Sequence, residues 1–221
     1  ARIYAAKGRP SVNPLIVHVR DAEQARGLVE WSDAADIAAM IHWPGPLTLV
    51  LPCKKDAELA DAVTAGLPTL AVRVPAHPVM QALLQAVDFP IAAPSANRSG
   101  FISPTNAAHV MASLDGRIDF VLDAGPTSAG LESSIFALRK DAAWEELRPG
   151  PIHRGAMNAK TAEPVSAQEN PAVRAPGQLA SHYAPGKPVR LDATRQDSGK
   201  VAQDEFFIGF GRISGDCTLS A

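Results

Sequence analysis

The apolar positions of this chain fall into short runs of strand length, separated by stretches with helical spacing. The runs predict five strands, at 15–19, 47–51, 70–74, 91–93 and 120–123. The spacing between them predicts four helices, at 21–30, 33–41, 57–64 and 77–87. A fifth helix is expected to begin with Ser103 as its N-cap and Pro104 at its first position, and to run to about Leu114. Interleaved strands and helices of these lengths predict an α/β domain with a mixed sheet.

Two local patterns sharpen this outline. Val79, Leu83, Leu84 and Val87 share one face of the helix predicted at 77–87, and we expect that face to pack on the core. The apolar runs 134–138 and 144–148 flank Lys140 and Asp141, which predicts a hairpin.

The pattern changes after residue 155, which suggests three parts. Residues 1–155 read as an α/β domain. Residues 156–186 are rich in Asn, Pro, Ala, Gln and Ser and read as a linker. Residues 187–221 contain two further strand-like runs and read as part of a small C-terminal α/β domain.

Composition narrows the class of protein. Of 221 residues, 46% are hydrophobic and 20% charged, which fits a globular chain rather than a disordered one. The net charge of −2 gives no overall basic character for nucleic acid, although a local basic pocket remains possible. Cys53 and Cys217 are too few for a disulfide framework or a zinc site, so we expect no protein metal site and a reduced, cytoplasmic setting. There is no signal peptide and no apolar run of about 18 residues, so we expect no membrane association.

Lys7 and Arg9 are the first candidates for chemistry. On an extended segment, residues two apart project to the same side. A guanidinium fork and a compact ammonium there suit phosphate oxygens, with Asn13 close by. A solvated basic loop is the alternative interpretation.

Ser95 and Asn97 follow the small residues that end the strand predicted at 91–93. Ligands of α/β folds bind beyond the carboxyl ends of strands, where such short polar groups can reach them. A polar turn closed by Asn97 and Gly100 is the alternative.

Taken together and in order, several segments resemble the YrdC-like superfamily. They are Lys7–Pro10, Trp43–Thr48, Arg73–Pro75, Ser95–Asn97, Glu132–Ile135 and Leu147–Gly150. Ala175–Gly177 and Ser181–Pro185 resemble the linker of its long, two-domain form, the threonylcarbamoyl-AMP synthases. This resemblance implies that residues 1–155 are the catalytic domain and that the linker, 156–186, folds over the active site.

The resemblance implies an open, twisted mixed sheet with helices around a large basic cavity, and a small Rossmann-like C-terminal unit. It also implies a segment ahead of Lys7 that the printed sequence does not contain. The activity implied is that of a nucleotidyltransferase. It joins L-threonine, bicarbonate or CO₂, and ATP with its Mg²⁺ into threonylcarbamoyl-AMP and pyrophosphate. An enzyme complex that modifies tRNA would use the product, while direct tRNA binding is left open.

The resemblance also implies residue roles. Lys7, Arg9, Ser95 and Asn97 correspond to the positions closest to the chemistry. ATP contacts are implied for Lys7, Arg9, Asn13, Thr69, Ser95, Asn97, Ser103, Arg148, His182 and Tyr183. Threonine contacts are implied for His18, Arg73, Ala93 and Ser133, with Arg73 holding the carboxylate. Without the resemblance, His18 in an apolar strand would read as a core histidine.

Two other functions remain open from the sequence. A non-catalytic RNA-binding module of the same fold could hold phosphates in a basic cavity, although aromatic residues are few and overall basicity is absent. A carbamoyltransferase-type relative, as in hydrogenase-maturation proteins, would carry zinc-finger-like cysteines nearby.

Overall fold

The computed structural model describes residues 2–158, 160–161, 174–177, 207–209 and 218–220. The chain divides into two compact units, residues 1–184 and 185–221. The division at 155 and 186 into domain, linker and C-terminal domain stays a prediction.

Six α-helices and seven strands build the described part of the first unit. The helices are α1 (Arg2–Lys7), α2 (Ala22–Arg26), α3 (Asp33–His42), α4 (Asp61–Thr64), α5 (Pro78–Ala86) and α6 (Ala107–Leu114). The strands are β1 (Ile16–His18), β2 (Leu47–Pro52), β3 (Thr69–Arg73), β4 (Ile91–Ala92), β5 (Ser134–Leu138), β6 (Trp144–Arg148) and β7 (Lys160–Thr161). A 3₁₀ turn covers Arg154–Met157.

The seven strands form one mixed sheet in the order β4-β1-β3-β2-β5-β6-β7. The pairs β1–β3, β2–β5 and β6–β7 are parallel, and the other neighbours are antiparallel. The predicted α/β class with a mixed sheet is therefore confirmed, and so is the hairpin formed by β5 and β6. In the second unit, the described strands β8 (Phe207–Gly209) and β9 (Thr218–Ser220) pair in parallel.

The central strands are buried on both faces. Leu49 of β2 and Val72 of β3 belong to a large apolar cluster, whereas their neighbours Val50 and Ala71 belong to a second cluster. Successive strand residues point to opposite faces, so the two clusters cover the two sides of the sheet. The run 47–51 is apolar at nearly every position for this reason. Ala175, far along the chain, is buried in the second cluster.

The strand predicted at 120–123 is wrong. These residues lie outside both sheets, with Phe120 84% exposed and Leu122 66% exposed. An apolar run becomes a strand only where a neighbour takes up its backbone hydrogen bonds, and the described sheet ends at β4 and β7.

The helix predicted from Pro104 begins three residues later. Asn106, rather than Ser103, is the N-cap, because its side chain accepts a hydrogen bond from the backbone N–H of His109 at 3.0 Å.

Two further helices are shorter than predicted. The helix expected at 21–30 ends at Arg26 with Gly27 as its C-cap, and Val29 beyond it forms a β-bridge with Cys53. The helix expected at 57–64 is reduced to Asp61–Thr64.

The core face predicted for the helix at 77–87 is also wrong in part. Leu84 of α5 is fully buried, but Val79 and Leu83 are 38% and 39% exposed.

The extended segment predicted around Lys7 and Arg9 is wrong as well. Lys7 is the last residue of α1, and Gly8, at φ +61°, turns the chain out of the helix. The side-by-side projection of the two cations does not hold, and their placement depends on this turn.

No helix within the described residues has the length and apolar character that crossing a membrane requires.

Candidate functional site

A cavity of about 530 Å³ opens at one end of the sheet in the first unit. Strand ends supply much of its wall, because His18 ends β1, Arg73 ends β3 and Arg148 ends β6. Eight predicted site residues line it, namely Arg9, His18, Arg73, Ala93, Ser95, Ser103, Ser133 and Arg148. Three arginines thus share the cavity, against two acidic residues of its described lining, Asp123 and Glu132.

Lys7 and Asn97 lie behind the cavity wall rather than in its lining. The Lys7 ammonium donates hydrogen bonds to the backbone carbonyls of Ser95 and Asn97. The backbone N–H of Ser99 in turn donates to the Lys7 carbonyl at 2.8 Å. Burial, and then the charge of Arg9, lower the pKa of Lys7 to about 8. Lys7 therefore fixes the loop that presents Ser95 to the cavity.

Arg9 is held by the loop that follows it. Its Nη2 donates to the carbonyl of Pro14 at 2.8 Å and to that of Asn13 at 3.4 Å. Asn13 is fully buried, and within the described residues neither its Nδ2 nor its Oδ1 has a hydrogen-bond partner. A buried amide of this kind normally has a partner, and because Asn13 does not line the cavity, its amide is an exception that the described contacts do not explain.

The remaining predicted ATP contacts are not gathered in the cavity wall. Thr69 begins β3, at the opposite end of that strand from Arg73. His182 and Tyr183 lie outside the described residues. Their assignments, like those of all the site residues, stay predictions.

His18 and Arg73 are neighbours on the parallel strands β1 and β3. The Nε of Arg73 donates to the Gly45 carbonyl at 3.0 Å. Burial lowers the pKa of Arg73 from its usual value, and the nearby charge of Arg148 lowers it further. Burial, and then the charge of Arg73, lower the pKa of His18 to about 4, although a hydrogen bond to the Ile91 backbone opposes this. His18 is therefore a neutral imidazole beside the cationic Arg73, a setting that favours an anionic ligand group.

Arg148 and Ser133 form the best-connected part of the wall. The Nε and Nη2 of Arg148 donate to the Ser133 carbonyl at 3.0 and 2.8 Å, and Nη2 also reaches Ser133 Oγ at 3.0 Å. Ser133 Oγ lies 2.7 Å from Oγ1 of Thr48, a buried residue of β2.

Two glycines allow the backbone to pack closely beside Arg73 and Ser133. A Cβ on Gly45 would lie 2.1 Å from the His42 carbonyl oxygen, so only glycine can present its carbonyl to Arg73. A Cβ on Gly150 would lie 2.6 Å from Ser134 N and 2.7 Å from the Glu132 carbonyl oxygen. Gly45 and Gly150 both lie in segments that resemble the YrdC-like superfamily.

Sequence reasoning missed Thr48 and Pro176. Thr48 interrupts an otherwise apolar central strand, and that interruption was a usable signal. Pro176 lines the cavity although it is distant in sequence from the other lining residues, and the resemblance of Ala175–Gly177 to the family linker was the signal that could have marked it. Among the described residues, no group of three or more His, Cys, Asp or Glu side chains is placed to hold a metal ion.

Comparison with family descriptions gives two matches. The family Sua5_yciO_yrdC, described as telomere recombination, matches residues 1–150. The threonylcarbamoyl-AMP synthase C-terminal domain matches residues 142–210.

Two curated relatives are similar over most of the chain. A threonylcarbamoyl-AMP synthase of Bacillus subtilis is 45% identical over 196 residues, which is 86% of this chain and 56% of the relative. That of Pyrococcus abyssi is 41% identical over 217 residues, which is 95% of this chain and 62% of the relative. The chain therefore spans roughly three fifths of the length of these relatives.

Solved structures agree with the fold. The crystal structure of P. abyssi Sua5 complexed with L-threonine has a TM-score of 0.82 and 34% identity, over 99% of this chain and 69% of that one. Escherichia coli YciO has a TM-score of 0.62 and 18% identity, over 71% and 75% of the two chains, and shares the fold.

Proposed function

Because this chain belongs to the Sua5/YciO/YrdC family, we propose that it carries the substrate-binding domain of an L-threonylcarbamoyladenylate synthase. The observation that carries the proposal is the gathering of Arg9, Arg73 and Arg148 around one cavity beside a neutral His18. Such a wall suits a ligand set that is anionic at two places, an amino-acid carboxylate and a triphosphate.

The threonine half of the site is assigned to Arg73, Ser133, His18 and the backbone at Ala93. The Nε–H of Arg73 already donates to the Gly45 carbonyl, so its two terminal nitrogens can bind both oxygens of a carboxylate. The neutral imidazole of His18 adds no positive charge where the amine of the substrate must lose its own proton. The similar P. abyssi structure holds L-threonine, which supports an amino acid as the ligand.

The nucleotide half is assigned to Arg9 and Ser95 at one side of the cavity, with Ser103 and Arg148 as further contacts. Lys7 and Asn97 would act indirectly, because the hydrogen bonds of the Lys7 ammonium to the Ser95 and Asn97 carbonyls hold the Ser95 loop in place. Asn13, Thr69, His182 and Tyr183 complete the proposed set. Mg²⁺ would enter with ATP as part of the substrate.

The chemistry needs alignment and charge neutralisation more than it needs a nucleophilic side chain. The amine nitrogen of threonine bonds to the carbon of CO₂ and loses a proton, which gives a carbamate. A carbamate oxygen then bonds to the α-phosphorus of ATP while the bond to the β-phosphate oxygen breaks and pyrophosphate leaves. Both partners of this step are anions, so preorganised cations lower the barrier by holding them together.

The setting of the reaction belongs to the same proposal. The adenylate is a reactive mixed anhydride, and we assign it to a downstream enzyme complex that transfers the threonylcarbamoyl group to tRNA. We place the reaction in the cytoplasm, where ATP and tRNA are both present.

The decisive experiment follows pyrophosphate release by the full-length protein with ATP, Mg²⁺ and bicarbonate. Release should require L-threonine, because the attacking carbamate cannot form without its amine. Release that is equally fast without threonine would contradict the assignment, and so would RNA binding with no turnover of ATP.

A matched pair of arginine variants ties the activity to the cavity. Arg73→Ala should raise the KM for threonine by about tenfold or more, because the variant loses one charge-assisted hydrogen bond to the carboxylate. Arg117→Ala removes an exposed arginine that is not part of the cavity wall, and its kinetics should match the wild type. Equal losses in both variants would show that the cavity arginine has no special role.

A further inference from the structure

A chain of three side chains joins the middle of the sheet to the cavity. Thr48 lies in the central strand β2 and is fully buried. Its Oγ1 is 2.7 Å from Ser133 Oγ, which in turn accepts from Nη2 of Arg148 at 3.0 Å. Ser133 and Arg148 line the cavity, whereas Thr48 does not.

The direction of the Thr48–Ser133 bond follows from counting donors. Thr48 has one hydroxyl hydrogen, and among the described residues Ser133 is the side-chain partner of its Oγ1. If Ser133 donated to Thr48, the Thr48 hydrogen would be a buried donor with no acceptor, which costs more than an unused lone pair. Thr48 is therefore the donor and Ser133 the acceptor.

This assignment decides what Ser133 offers to a ligand. The Ser133 oxygen accepts one hydrogen bond from Thr48 and one from the Arg148 guanidinium, so both of its lone pairs are used. Its own hydrogen then remains, on a residue that lines the cavity. Two donors directed at the same oxygen also polarise its O–H bond and strengthen it as a donor.

We infer that Thr48 is a positioning residue that makes the Ser133 hydroxyl an obligatory hydrogen-bond donor to an oxygen of the amino-acid substrate. The inference rests on the proposed function, because it places a threonine carboxylate or carbamate oxygen opposite Ser133. Thr48 itself touches no substrate. If the Thr48 hydroxyl is removed, the Ser133 oxygen regains a free lone pair, and the Ser133 hydroxyl can rotate its hydrogen away from the cavity.

The test is a double-variant cycle on the full-length protein, read as KM and kcat for threonine-dependent pyrophosphate release. Thr48→Val keeps the shape of the side chain and removes the donor. It should raise the KM for threonine about 5- to 10-fold, the range of one neutral hydrogen bond, with a change of less than about twofold in the KM for ATP. Thr48→Ser restores the hydroxyl and should return the KM for threonine to within about twofold of the wild type.

The Ser133→Ala background separates positioning from simple destabilisation. If Thr48 acts through Ser133, Thr48→Val should add nothing to the KM of Ser133→Ala, because the coupled hydroxyl is already gone. The same factor in both backgrounds would overturn the inference, and so would failure of Thr48→Ser to rescue. A wild-type protein that shows no threonine-dependent release at all would instead contradict the proposed function. Thermal unfolding of each variant confirms that folded proteins are being compared.

Discussion

At the scale of single residues, the cavity wall shows how burial and neighbours set charge. His18 and Arg73 sit side by side on β1 and β3, yet one is neutral and the other cationic. Burial disfavours the charged form of both, and the nearby arginine makes protonation of the imidazole still less favourable. The sequence showed a histidine in an apolar strand, but the charge state depends on a strand fifty residues away.

The neutral state of His18 predicts a pH dependence of stability. Its pKa of about 4 in the folded protein lies below the ordinary value of 6.5. As the pH falls below 6.5 the unfolded chain takes up a proton that the folded chain does not, so stability falls between pH 6.5 and 4. From pH 7 to pH 5 the wild type should lose roughly 2 kcal/mol more unfolding free energy than His18→Gln, which has no titrating ring.

Urea unfolding of both proteins at the two pH values checks this prediction. The comparison removes the contribution of the other carboxylates and histidines, which the two proteins share. Parallel losses in wild type and variant would show that His18 titrates normally.

At the scale of elements, boundaries were harder to predict than the elements themselves. Most strands and helices stand where hydrophobic spacing placed them, because that spacing reports which face is buried. Their ends depend on single hydrogen bonds, as at α6, where two polar residues three positions apart could each have served as the cap. The run 120–123 fails for a larger reason, since a strand depends on its neighbour as well as on its own sequence.

The start of α6 gives a direct test at this scale. Asn106→Ala removes the acceptor for the His109 N–H and should lower the unfolding free energy by about 1 kcal/mol. Ser103→Ala is the matched control, because the Ser103 Oγ is buried without a hydrogen-bond partner among the described residues. It should change stability by only a few tenths of a kcal/mol. A larger loss from Ser103→Ala than from Asn106→Ala, measured by urea unfolding, would restore the cap predicted from the sequence.

At the scale of the whole molecule, the fold class was predictable and the joining of distant segments was not. Alternating strand and helix patterns indicate a mixed sheet, but nothing local tells that β2 pairs in parallel with β5, across more than eighty residues. The cavity wall has the same character. The order of the motifs identified its arginines, while the hydrogen bond of Thr48 to Ser133 and the place of Pro176 in the cavity wall follow only from the folded chain.

The segment 174–177 shows how a stretch distant in sequence is held against the sheet within the first unit. Ala175 is buried in the second apolar cluster, and Arg174 pairs with Glu145 at 2.8 Å. Ala175→Glu would bury a carboxylate in that cluster, so the segment should detach and thermolysin should cleave it several-fold faster. Arg174→Ala is the control, because a partly exposed ion pair contributes under about 1 kcal/mol and cleavage should change little. Mass mapping of the cuts decides, and equal cleavage rates in Ala175→Glu and wild type would contradict the anchoring role of the cluster.

The bonds from Lys7 to the carbonyls of Ser95 and Asn97 have a consequence for exchanging parts between relatives. The end of α1 and the Ser95 loop are nearly ninety positions apart in the chain, yet a single ammonium fixes the spacing between them. A chimaera that takes the end of α1 from a relative with a different side chain at position 7 lacks the ammonium that binds the Ser95 and Asn97 carbonyls. The acceptors are backbone carbonyls, so the Lys7 side chain rather than the sequence of the loop sets this contact, and transplants that keep Lys7 should keep the register of the two segments.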